Sequence, residues 1–414
     1  MNTDVLVIGA GASGIAAAIA AAGSGLQVML LERYGFVGGM ATAAMVGTIC
    51  GLYYRGAGQP EYAVQGFARE FAEALAERSG GKPGSTAQGL HYLPYQLVAF
   101  HEEAALRLQR AGVQLLLHTR LADVRLSGRS IDMVSALALD RQFSIQARAV
   151  VDCSGEAMVS ALTGQEMQED NRHQAGALVF QVAGLPNLDA RNMILQLIRC
   201  SKKGIHSGTL HAGSDHLSLV PGTLQDDGSA LLKLGLPDSG DSTPEKRSET
   251  ELLARQRVST LVQYLRESEP SLQSLRITAM ATQVGIRTGQ RPRGVAVLDR
   301  EHLLDCRKPD DGVAIGAWPM EYWGSQRQPE ITCFPAHDHY LVPAGALVSR
   351  NLDNLFFAGR SFSATEQAIA SARVIGTCLG TGWAAGMLAA SNVQSGAWQN
   401  AVGALRAQQV HRKS

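Results

Sequence analysis

The chain has 414 residues, 45% of them hydrophobic and 18% charged, which excludes a disordered, collagen-like or coiled-coil polypeptide and allows two or three domains. Lys plus Arg and Asp plus Glu both number 37, and this balance argues against a broad nucleic-acid footprint or an electrostatic membrane anchor. The cysteines at 50, 153, 200, 306, 333 and 378 form no CxxC pair, so they read as free thiols in a reducing compartment and not as a metal site or disulfide framework. No apolar run approaches the ~18 residues of a membrane span, and no leader pattern precedes the first strand. The expectation is a cytoplasmic protein with no nucleic-acid or membrane partner.

Residues 4–8 (DVLVI) are a short apolar run suited to a buried parallel strand. They lead into Gly9-Ala10-Gly11-Ala12-Ser13-Gly14, an Ala-rich helix over Ser13–Ala22, and a second strand over Val28–Leu31 that ends in Glu32. A G-x-G-x-x-G alone often only starts a helix. Here strand, turn, helix, strand and acid fall in register for a dinucleotide. Gly9 permits the tight turn, Gly11 lets a pyrophosphate approach the backbone, and Gly14 lets the helix pack close. The N–H groups around Ala12 and Ser13 favour phosphate, and Glu32 can accept from a ribose diol. The loop that follows, Arg33 to Thr42, contains Gly38-Gly39-Met40-Ala41-Thr42. It reads either as a flap over the diphosphate and a flavin or as a surface loop.

With these residues the sequence resembles the FAD-dependent oxidoreductases of the glutathione-reductase-like superfamily. More narrowly, it is similar to a bacterial group that carries a G-G-M-A-T-A-type loop after the acid. The resemblance implies an α/β fold: a Rossmann-like FAD-binding domain with an inserted α+β substrate or cap domain. It implies FAD as cofactor, and it places Leu121 and Ala122 near the adenine. In the group a strand returning to the flavin domain ends in Ala-Thr-Gly; here Val150-Val151-Asp152-Cys153-Ser154-Gly155 takes that place. A second returning strand, Asn354-Leu355-Phe356-Phe357-Ala358-Gly359-Arg360, matches the group's closing motif. Many superfamily members have Gly-Asp there and contact the ribityl chain; Arg360 suits a phosphate better.

Between these ends, helices are expected over Pro60–Arg78, Tyr95–Ala111, Ala190–Arg199 and Glu245–Glu267, and a meander over 121–147. Strands are expected at 178–183, 217–220 and 230–234, a polar linker at 238–244, and one helix over Ser371–Ala390. The domain expectation is FAD-binding residues 1–164, an inserted domain over 165–344, the returning FAD-binding strand and helix over 345–392, and a tail over 393–414.

A flavin carries the redox chemistry, and the protein supplies position and charge. Arg373 and Val374, at a helix start, are candidates to face the negative charge of reduced flavin. His337 and His339, shortly before the returning strand, are candidate proton acceptors, with Tyr340 a weaker one. The alternative for both histidines is a solvated loop; no metal site is expected. Arg287 and Arg291 read either as anion ligands or as structural bridges, and Cys50 either as a neighbour of the flavin or as a small buried thiol. No second G-x-G-x-x-G is present, so no separate nicotinamide domain is expected. The leading expectation is a dehydrogenase or oxidase moving hydride from a C–OH or C–N centre of a small molecule to FAD. The alternatives are an NAD(P)H-dependent flavin monooxygenase or reductase, and an electron-relaying subunit of a complex. The acceptor is left open, and so is a homo-oligomer or a partner subunit.

Overall fold

The computed structural model describes residues 1–170, 172, 174–236, 243–324 and 326–410. Most of the expected 238–244 linker falls outside them.

The first strand, β1 (Asn2–Ile8), is the centre of a seven-stranded sheet. Val5, Leu6 and Val7 are fully buried, each gaining about 1.5–3 kcal/mol relative to exposure. One side of β1 carries the parallel strands β2 (Val28–Leu31) and β3 (Gln114–Leu116). A helical hairpin separates them in sequence: α2 (Gly66–Ser79) and α3 (Leu97–Arg110), with the latter close to its expected span. The helix expected from Pro60 begins only at Gly66, because Tyr62 bridges Tyr53 in extended conformation and Gly66 takes a φ of +56°.

On its other side β1 pairs with the second half of a long strand, β6 (Arg141–Asp152). The start of β6 forms an antiparallel meander with β4 (Thr119–Ser127) and β5 (Ser130–Ala138). The sequence separates 143–147 from 149–155; in the structure one strand serves both jobs. Near its end β6 also takes a parallel partner, the returning strand β11 (Leu355–Phe357). Three parallel strands, β2, β1 and β6, thus deliver their carboxyl ends to one edge, where α/β sheets place their ligands.

A second apolar core lies in the middle of the chain. Its antiparallel sheet has the order β8 (Leu217–Leu219), β9 (Ala230–Gly235), β7 (Ala177–Ala183), β10 (Arg276–Met280). Two helices cover one face. Asp189 caps α4 (Ala190–His206) through the N–H groups of Arg191 and Asn192. Thr243 caps α5 (Pro244–Ser268), with Pro at the first helical position. Leu232 and Leu234 point into this core beside Leu197, Val258 and Leu261. By strand alternation Leu231 and Lys233 face the other way, and Leu231 reaches the backbone at Gly47 in the first domain. This core draws on residues 178–284 together with Met45, whereas segments within 298–348 pack into the first core. The expected 165–344 insertion is therefore divided between the two.

The chain closes with two helices where the sequence suggests one. Thr365 caps α6 (Glu366–Ala372), and α7 (Ile375–Ser395) follows at a bend of 99°. The break falls at Arg373-Val374, where Val374 is extended (φ −69°, ψ 153°). Gly376 then rests against the carbonyl of Cys50, where a Cβ would approach to 2.8 Å. Farther along, Gly382 and Gly386 lie on the backbone of Ser13 and Ala17 in α1 (Ala12–Gly23), at separations that leave no room for a side chain. Among the described residues no single helix is long and apolar enough to cross a membrane. The pair α6 and α7 passes that test together, but it is sharply bent and mostly buried in the core.

Candidate active site

At the carboxyl edge of the large sheet lies a cleft of about 310 Å³. Gly9, Gly11, Ala12 and Ser13 line it from the first turn, Glu32 and Arg33 from the end of β2, and Gly38, Gly39, Met40 and Ala41 from the following loop. Leu121, Ser154, Gly155, Gly359, Arg360 and Arg373 complete the walls from four other segments. The sequence candidates from both ends of the chain are thus brought together.

The turn explains its glycines. A Cβ at Gly14 would overlap the carbonyl oxygen of Gly9, so helix and turn can close only on a bare Cα. Gly11 is different. Its φ is −73°, and an added Cβ would meet only Gly39 Cα, at 3.9 Å. The protein itself leaves that position open on the cleft side, which is the room a diphosphate needs. Gly39 closes over Gly11, and Gly11 and Gly38 form a β-bridge. Met40–Ala43 then makes a short helical turn. The loop is therefore folded back over the turn. Thr42 does not face the cleft: its hydroxyl donates to the carbonyls of Val37 and Gly39 and locks the loop.

Glu32 is only 5% exposed. One carboxylate oxygen accepts from the N–H of Ala10 at 2.7 Å and the other from that of Tyr34 at 3.0 Å. Burial pushes its pKa up, while these two bonds and Arg33 pull it down. A carboxylate has about four acceptor positions, so two remain for a ribose diol. Thr119 and Arg120 line the same end, where the N–H of Thr119 donates to Glu32 carbonyl oxygen.

Ser154 lines the cleft, but its hydroxyl is engaged: it donates to Asp152 at 2.6 Å and accepts from the N–H groups of Glu156 and Met158. Asp152 is fully buried and holds the turn by accepting from the N–H groups of Ser154 and Val159. Arg360 donates to the carbonyl of Ile286, lies against Gly155, and has no ion-pair partner among the described residues. A free guanidinium at this place fits a phosphate. Together the open space at Gly11, the buried acid with spare acceptors and the unpaired Arg360 fit FAD.

Arg373 ends α6 and stands just before the amino terminus of α7, so its place at a helix start is kept although the helix is broken there. Ala122 and Val374 do not line the cleft; Val374 packs with Leu90, Trp318 and Cys50. The two histidines are elsewhere. His337 is 58% exposed on its side chain, lies 3.6 Å from Glu61, and has a φ of +58°. His339 sits beside Tyr54 and Asp338. Neither lines the cleft, because the strand that follows them runs away into the first core.

Arg287 and Arg291 part company. Arg291 is 1% exposed, pairs with Asp170, and donates to the carbonyls of Ala364 and Gly289, so it is a bridge. Arg287 instead joins a group that the sequence does not reveal, with Lys233, Trp323 and Glu321. Cys50 lies in the same neighbourhood, and burial, followed by the charge of Glu321, pushes its thiol up to about 12, so it stays protonated and inert. The signal for Lys233 was a lone charge in the strand Ala230-Leu-Leu-Lys-Leu-Gly. Among the described residues no group of His, Cys, Asp and Glu could hold a metal ion.

A family model described as FAD dependent oxidoreductase matches residues 4–412. No curated protein matches. Among solved structures, the flavin-dependent brominase Bmp2 is 13% identical with a TM-score of 0.51, over 98% of this chain and 83% of that one. A geranylgeranyl bacteriochlorophyll reductase-like protein from Thermoplasma acidophilum is 12% identical with a TM-score of 0.49, over 98% and 83%. An anhydrotetracycline hydroxylase, OxyS from Streptomyces rimosus, is 12% identical with a TM-score of 0.47, over 99% and 68%. At such identities the brominase likeness shows the shared fold alone. The match along nearly the whole chain shows more: this protein belongs to the FAD-dependent oxidoreductase family, is an enzyme, and uses FAD.

Proposed function

We propose that the enzyme is a dehydrogenase or oxidase that takes hydride from a C–OH or C–N centre of a small molecule. The observation that carries this reading is Arg373, a cation lining the cleft immediately ahead of the amino terminus of α7. FAD, when bound, supplies a hydride acceptor whose ring gains negative charge on reduction. The first N–H groups of α7 have no partners within the helix, and they carry its positive end. Arg373 adds a full charge beside them. Both are fixed before the reaction and partly shielded from water, so they favour the reduced state without reorganising.

The other residues bind and orient. Glu32 would take the ribose of FAD, the N–H groups of Ala12 and Ser13 at the opening of α1 would take the diphosphate, and Arg360 would hold a phosphate oxygen. The loop 38–42, folded back over the turn at Gly11, would shield the diphosphate from water. The sequence carries no second dinucleotide turn, so a diffusible acceptor or a partner would take the electrons.

The test is anaerobic mixing of the yellow protein, without NAD(P)H, with a panel of alcohols, amines, hydroxy acids and amino acids. Rapid bleaching of the flavin band by one class supports the reading. NAD(P)H consumption that depends on substrate, with an oxygen atom appearing in product, contradicts it and assigns a monooxygenase. Bleaching that requires a co-purifying protein assigns a relay subunit.

A further inference from the structure

Segments far apart in sequence bring two cations over one indole and a third beside the strand that leads to it. Lys233 Nζ lies 4.2 Å and Arg287 Cζ 4.6 Å from the centroid of the Trp323 ring. Arg373 donates through Nη2 to the backbone carbonyl of Glu321, two residues before that tryptophan, at 3.2 Å. The acid that acts on all three is Glu321, whose carboxylate accepts from Trp318 Nε1 at 3.0 Å.

The cluster is not neutralised. None of the three cations forms an ion pair within 4.0 Å among the described residues. The Lys233 ammonium makes no hydrogen bond there either, and Arg373 Nε is buried without a partner. Arg287 makes one hydrogen bond among the described residues, to the carbonyl of Ala175. Burial, followed by the charge of its neighbours, pulls Lys233 down to about 8; burial also lowers Arg287 and Arg373. A structural cation in this protein looks different: Arg291 is buried and fully paired. Three half-buried cations facing the one Glu321 carboxylate leave an excess of positive charge with donors unused, which calls for an added anion.

The place points to the reaction. Arg373 belongs to both the cluster and the cleft wall, and Lys233 projects from the face of β9 that turns toward the first domain. Two guanidinium forks match a planar group with two oxygens, and the indole face holds Lys233 and Arg287 in place beside them. We propose that Lys233, Arg287 and Arg373 bind a carboxylate of the substrate, so that the enzyme acts on a small organic acid. The site stands on its own geometry; its role as a substrate site rests on the dehydrogenase or oxidase reading.

The experiment titrates FAD-loaded protein with malonate and benzoate, and with malonamide and benzamide as neutral partners, following tryptophan emission and the flavin difference spectrum. Both acids should give saturable changes and the amides none. Lys233→Met and Arg287→Met should each weaken acid binding at least tenfold with flavin content unchanged, and Lys233→Arg should restore most of the affinity. Lys233→Met removes a half-buried charge that has no ion pair, so its melting temperature should not fall. An equal response to amides, unaltered affinity in both Met variants, or tighter binding of inorganic phosphate than of either acid would overturn the proposal. Acids that bind while no organic acid bleaches the flavin would leave the anion site standing and remove the reaction reading.

Discussion

The nucleotide end of the site and the cation cluster behind it, which shares only Arg373 with the cleft wall, treat charge in opposite ways. At one end Glu32 is buried and satisfied by two backbone N–H groups. At the other, Lys233, Arg287 and Arg373 share a single carboxylate and leave donors unused. A buried charge fully met by the chain is finished in the folded protein and needs only a ligand that fits around it. A buried charge left unmet is finished only when the ligand arrives. The nucleotide end is thus preorganised, and the opposite end selects by charge.

The largest expected effects lie at the preorganised end. Gly14→Ala forces a methyl into the Gly9 carbonyl, and overpacking of this kind costs about 3 kcal/mol, read as a lower melting temperature of the protein with or without flavin. Gly11→Val should abolish FAD retention by filling the diphosphate space. Gly11→Ala should leave the melting temperature of flavin-free protein unchanged, because the nearest protein atom to its Cβ is 3.9 Å away. Stoichiometric flavin in Gly11→Val would break the assignment of this end.

At the other end, Arg373→Met should slow flavin reduction about 100-fold, the usual loss for one preorganised charge-stabilising donor. An unchanged rate in stopped-flow measurements would remove Arg373 from the chemistry. Next in size is Glu32→Gln, which keeps shape but loses a charge-assisted bond of about 2 kcal/mol, roughly 30-fold in the FAD dissociation constant by equilibrium titration.

The pH dependence sharpens the contrast. Lys233 faces Arg287, Arg373, Glu321 and Cys50, and its folded pKa is about 8 against an ordinary 10.5. Its charged form is disfavoured by folding, so it destabilises the ligand-free protein below about 8, and that cost is relieved as pH rises from 8 to 10.5. Carboxylate affinity should run the other way, strongest below pH 8 and falling above it in the titration; a flat profile from pH 6 to about 9 would exclude Lys233 as a ligand. The smallest effect is expected from His337→Ala, whose reduction rate should stay within about twofold because the side chain lies outside the cleft.

The difference between the ends also decides what could be read from the sequence. The nucleotide end is built from contiguous segments, and Gly9 to Gly14, the acid Glu32 and the Gly38-Gly39 loop each carry a local requirement that names itself. The opposite end is assembled from residues 233, 287, 321, 323 and 373, which no local pattern joins. Strand alternation could have flagged Lys233 as a charge in an apolar strand, but not its neighbours. The histidines illustrate the converse. Proximity to the returning strand in sequence suggested the cleft, yet the chain between carries them away from it, His337 to the surface at Glu61 and His339 to a half-buried place beside Tyr54. The helix break at Arg373-Val374 was hidden because 371–390 has uniform small-residue composition; contact of Gly376 with Cys50, a tertiary event, sets it.

The central claim is that the unmet positive charge beside Arg373 chooses the substrate. It is tested most directly by anaerobic flavin reduction with matched pairs, each 2-hydroxy or 2-amino acid against its own amide. The account predicts that at least one acid bleaches the flavin 100-fold or more faster than its amide, with the difference lost in Lys233→Met. Amides that reduce the flavin as fast as the acids would contradict it.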